Sequence, residues 1–134
     1  MQTSSYDPTI GHATSMTSGE ERSVASLAHL SAIIAMIVSV GWLSFVGPLV
    51  VWFLYKDRSA FVRAAAAGSF NFNIWVGVMN IVAWILAFTV IGLPVAVVIW
   101  IVAAVLTLWC HIRGALMAQR GELYRYPFVI GLLS

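Results

Sequence analysis

Polar and apolar positions along this chain fall into long blocks. From Ser23 to Tyr55, 33 residues pass without an Asp, Glu, Lys or Arg, and a second such run extends from Ala64 to Ile112. As helix the first run would be roughly 50 Å long, against a bilayer hydrocarbon core near 30 Å, so it is too long for one comfortable crossing and short for two. Gly41 and the pair Gly47-Pro48 interrupt it, and Pro48 suits the first turn of a new helix, where its missing N–H is not needed. The second run, roughly 73 Å as helix, holds two full crossings and divides at Gly92-Leu93-Pro94. The pattern predicts an all-α integral membrane protein with four transmembrane helices in two hairpins, the first hairpin short. The helices are expected over about 20–40, 47–56, 59–91 and 94–118.

The flanks differ in character. Residues 1–19 are rich in Ser, Thr and Gly without apolar periodicity and read as a disordered polar tail. Ser18 followed by Glu21 fits a capping box, which starts helix 1 near Gly19. No basic residue precedes Arg22, so the first apolar segment lacks the basic flank of a secretory signal and is expected to stay in the mature protein. Residues 20–125 form the expected membrane domain, and 126–134 an apolar tail laid on the membrane surface.

Composition agrees: 61% of residues are hydrophobic and 9% charged, where a soluble domain carries about 45–50% and about 25%. A water-soluble globular fold is excluded. The net charge of +2 is spread along the chain, with no stripe suited to nucleic acid. In the four-pass arrangement all seven basic residues gather at one end: Arg22, then Lys56, Arg58 and Arg63, then Arg113, Arg120 and Arg125. Lys and Arg near membrane ends stay cytoplasmic, which places both termini inside. A three-pass reading moves only Arg22 across, and the internal Gly and Pro residues favour four. Trp42, Trp52, Trp75 and Trp109 near expected helix ends suit the interfacial belts.

Ionisable groups inside a membrane are costly and point to function, and this chain offers few. No acid occurs between Glu21 and Asp57 or between Asp57 and Glu122, which removes the carboxylates an ion-coupled carrier needs at the midplane. His29 reads as a packing hydrogen bond to a neighbouring helix. Cys110 and His111, adjacent and so about 100° apart on a helix, form no metal pair, and a lone cysteine forms no intrachain disulfide. Helix 3 carries a heptad stripe, Ala66, Asn73, Asn80 and Ala87, with Phe70, Gly77 and Trp84 interleaved. Small residues let helix backbones approach and the Asn amides bond across helices, so His29, Ala66, Asn73, Gly77, Asn80 and Trp84 are the candidate packing or partner face. The cluster Glu122, Tyr124, Arg125 and Tyr126, after the turn residue Gly121 and with a Glu122–Arg125 ion pair within reach, is a candidate anchor or docking surface. With no Ser-His-Asp set, phosphate loop or paired carboxylates, neither an enzyme nor a cofactor or metal site is expected.

These residues also carry a resemblance. Glu20-Glu21-Arg22 with Leu27 to Ser31, Gly47-Pro48-Leu49 through Trp52, Lys56-Asp57 to Val62, Asn71-Phe72, and Gly121-Glu122 with Tyr124 to Pro127 are similar to a family of small bacterial membrane proteins of unknown function. That family sits in the Tic-twenty-like superfamily, beside a subunit of the chloroplast inner-envelope protein translocon. The resemblance implies four helices, cytoplasmic termini and the bacterial inner membrane. It departs from the pattern between Val62 and Asn71, where Arg63, four alanines, Gly68, Ser69 and Phe70 replace the usual His, Lys and acidic residues.

The resulting expectation is a non-enzymatic accessory or scaffold subunit of a larger membrane complex, with the bilayer and another integral membrane protein, or a second copy, as partners. The alternatives are a homo-oligomeric channel or protein-translocation component like the plastid relative, with Asn73 and Asn80 facing a shared lumen, and a lipid-binding protein using the short first hairpin.

Overall fold

A computed structural model describes residues 16–134, and among them the chain forms four helices joined by short turns: α1 Ser18–Val38, α2 Val46–Tyr55, α3 Ala60–Ala87 and α4 Leu93–Gln119. The expected polar tail falls almost wholly on residues 1–15, outside the described residues. Three helices, α1, α3 and α4, are long and apolar enough to cross a membrane. The ten residues of α2, about 15 Å of helix, cover half of a hydrocarbon core, so four full crossings do not follow.

Local chemistry sets the helix ends. The capping box at the start of α1 sits one residue earlier than Ser18 and Glu21 suggested: the Thr17 hydroxyl accepts from the Glu20 N–H, and the Glu20 carboxylate accepts from the Thr17 N–H. α1 closes with the Gly41 N–H on the Met36 carbonyl and the Val40 N–H on that of Ile37, a Schellman ending that puts Val40 at φ 53°. A β-branched residue in this left-handed region is strained, while Gly41 beside it, at φ 89°, is not. α3 stops at Ala87 instead of running to Ile91, because the Thr89 hydroxyl donates to the Leu86 carbonyl and accepts from the Gly92 N–H, turning the chain there. α4 ends in a second Schellman motif built on Gly121.

Helices α1 and α3 each touch the other three, whereas α2 and α4 flank them without meeting. Small buried residues line the α1–α4 contact: Ala25 and Ala28 share a core cluster with Ala118, and buried Gly114 lies under the His29 ring. In lipid, where water does not drive helices together, such close backbone approach supplies the packing energy. The N-terminus of α2 wedges equally tightly: a Cβ on Gly47 would lie 2.6 Å from the Ser31 carbonyl oxygen. The helix starts and ends meet at one pole, where Ser59 donates to Glu21 and the Arg22 guanidinium lies against Gly121. Outward-facing Val, Ile, Leu and Trp side chains cover α3 and α4, as a lipid-facing surface requires.

Candidate functional site

Four segments converge on a buried polar chain. Asn73 of α3 and His111 of α4 are fully buried, His29 of α1 is 1% exposed, and Tyr126 reaches in from the segment after α4. The Asn73 Nδ2 lies 2.7 Å from the Ser69 carbonyl oxygen and 2.9 Å from His111 Nε2, and only an amide nitrogen suits the first contact. His111 Nε2 therefore accepts, its Nδ1 carries the proton and donates to the Tyr126 hydroxyl at 3.0 Å, and the hydroxyl donates to His29 Nδ1 at 2.6 Å. One proton order thus satisfies every link, from α3 through α4 and the C-terminal segment to α1. Burial holds the Tyr126 hydroxyl well above the usual tyrosine pKa, so it stays a donor. The Asn73 Oδ1 is buried without a partner among the described residues.

Glycine lets this chain form. A Cβ on Gly114 would lie 2.7 Å from His29 Nδ1, so only glycine on α4 admits the ring. Phe72 stacks on Tyr126 at 4.7 Å between centroids and closes the other side. Around it, the Tyr124 hydroxyl donates to the Cys110 thiol at 3.5 Å, and burial, with that bond second, pushes its pKa up to about 12.

The C-terminal tail, expected as an apolar segment at the membrane surface, packs onto α3. The Asn71 side chain accepts from the Leu132 and Leu133 N–H groups at 3.0 and 2.9 Å and donates to the Leu133 carbonyl at 2.8 Å, while Phe128 stacks on Trp75 at 4.9 Å. One amide thereby satisfies several backbone groups of a non-helical strand lying against a membrane helix.

The residues singled out from sequence scatter around this core. Ala66 packs in the alanine-rich core beside Ala25 and Ala28, and Asn73 joins the network. Asn80 accepts from the Trp100 indole of α4 at 2.8 Å, Trp84 stands half exposed between Trp42 and Trp100, and Gly77 faces open space. The C-terminal cluster divides: Tyr124 and Tyr126 turn inward, while Glu122 and Arg125 stay exposed. Sequence reasoning missed His111, Ser69, Gly114 and Asn71. The available signal was a second imidazole in an otherwise uncharged span, with its helix partner hidden by a separation of 82 positions from His29.

The arrangement cross-links helices and orders protons. Among the described residues no group of three or more His, Cys, Asp or Glu could hold a metal ion.

No curated protein and no solved structure matches the chain. The family model that does match covers residues 20–133, and it corrects the Tic-twenty-like resemblance, which rested on short separate stretches of the chain. Reaching from the first turn of α1 through the other three helices into the C-terminal segment, that match shows that the chain belongs to the MamF/MmsF family, the magnetosome magnetite crystal formation protein family.

Proposed function

We propose that this protein is a non-enzymatic accessory or scaffold subunit of a membrane assembly that serves magnetite crystal formation, docking a second integral membrane protein through the turn after α4. The family supplies the process and the membrane setting. The observation that carries the docking role is the split of the C-terminal cluster: Tyr124 and Tyr126 pin the turn to the bundle, while Glu122, Leu123 and Arg125 stand exposed on it. A charged pair flanking an exposed leucine on a rigid turn offers a preformed edge, with little ordering cost on binding. The basic residues gathered at the same pole support a cytoplasmic position for that edge.

The test is purification of tagged full-length protein in mild detergent, with mass spectrometry of the copurifying chains. A stoichiometric foreign membrane protein, lost in Arg125→Ala and Leu123→Ala while the variants still insert, is the expected result. A particle containing this chain alone, or a partner retained by both variants, overturns the docking role.

A further inference from the structure

The half-length of α2 leaves a space. Its first turn is wedged against Ser31, seven residues before the end of α1, and Phe45 meets Phe70 only ten residues into α3. Beyond that level, away from the basic pole, the bundle consists of the end of α1, the later turns of α3 and the first half of α4. Between them lies a cavity of about 590 Å³, within the size range of small-molecule sites. Its walls include Met36 from α1, Val76 and Asn80 from α3, and Trp100, Ala103 and Ala104 from α4, and the strained Val40-Gly41 turn borders it. Two alanines on the α4 wall keep it open where larger side chains would fill it.

Three observations choose the occupant. The cavity lies at membrane depth, and among the described residues no Asp, Glu, Lys or Arg lines it, so a charged solute or a headgroup finds no partner there. The walls are mainly hydrocarbon and indole, with the Ser44 and Thr107 hydroxyls and the Asn80 amide as their polar side chains and the Thr107 hydroxyl spent on the Ala103 carbonyl, so a water-filled space would expose apolar surface at a cost and an alkyl chain would cover it. The sole amide among the lining side chains, Asn80, spends its Oδ1 on the Trp100 indole, which leaves the Nδ2 protons to meet a neutral acceptor. We propose that this cavity is a lipid site, holding one acyl chain of a phospholipid from the leaflet opposite the basic pole, with an ester carbonyl accepting from the Asn80 amide. The bilayer is drawn thin at this point by the half-length helix, which brings the ester to the depth of Asn80.

The experiment uses full-length protein in nanodiscs of phosphatidylethanolamine and phosphatidylglycerol, with a phospholipid bearing a photoactivatable diazirine in mid-chain as the probe. Crosslinks should concentrate on Met36, Val76 and Ala103 over the lipid-facing positions Val98 and Ile101 of α4. Ala104→Phe, placed to fill the cavity, should lower cavity labelling to the level of Val98 and leave Val98 unchanged. Native mass spectrometry of the wild type should retain one phospholipid mass, and Asn80→Leu should lose it at lower collision energy. Uniform labelling of cavity and belt positions in the wild type overturns the proposal, even where Ala104→Phe fails to insert, and so does a retained quinone or other non-phospholipid mass.

Discussion

At the scale of single residues, the two helical glycines Gly114 and Gly77 have opposite meanings. Gly114 is the floor under the His29 ring, and an added methyl would enter a space already filled at 2.7 Å by a nitrogen engaged with Tyr126. Gly114→Ala should therefore destabilise by about 1–3 kcal/mol, through overpacking and a broken hydrogen bond. Among the described residues nothing lies within 4 Å of the Gly77 Cβ position, so Gly77→Ala should stabilise by up to about 1 kcal/mol from helix propensity alone. Unfolding of both variants in detergent micelles, followed by circular dichroism, checks the pair. Equal effects would mean that His29 does not rest on Gly114, and a loss at Gly77 would mean that something packs there.

At the scale of elements, the C-terminal segment behaves as a strap whose hold on the bundle is concentrated in Asn71. Three side-chain bonds to Leu132 and Leu133 and one backbone bond from the Ile130 N–H tie it to α3. Asn71→Leu keeps the branched shape of the amide, at a larger volume, and removes all three side-chain bonds. The backbone amides of Ile130 to Leu133 should then exchange hydrogen rapidly, while those inside α3 and α4 keep their protection. Unaltered protection of the segment would show that Phe128 on Trp75 suffices to hold it. The helix boundaries follow the same local logic: the end of α3 turns on Thr89, whose hydroxyl competes for a helix carbonyl, and no apolar periodicity contains that information.

At the scale of the whole molecule, the gathering of helix starts and ends at one pole fixes where charge can stand. Arg22 lies against Gly121 and Ser59 bonds Glu21, so the basic residues of the α1 start, the α2–α3 turn and the α4 end share one face. The opposite pole, with Val90 and Ile91 almost fully exposed, carries none. Both termini should therefore face the cytoplasm. Single-cysteine probes test this against the quiet background of buried Cys110. Val90→Cys should react with a membrane-impermeant maleimide added outside intact cells, and Ser134→Cys only after permeabilisation; the reverse order would invert the topology.

Hydropathy alone places this chain in a membrane, because two uncharged runs of this length have no stable place in water, and the breakers located the breaks between helices to within a few residues, α2 beginning at Val46 and α4 at Leu93, because they act locally. The functional contacts were less legible. Asn73 and Asn80 stood out through their heptad spacing, yet one bonds His111 and the other Trp100, and spacing along α3 says nothing about which helix lies opposite. Only the tertiary structure joined His29 to His111 through Tyr126, since these bonds link positions far apart in the chain. The half-length of α2 was already legible in the helix expected over 47–56, but only the packed bundle shows its first turn wedged where Gly47 meets the Ser31 backbone, and the cavity above it exists because packing, unlike hydropathy, depends on where every other helix stands.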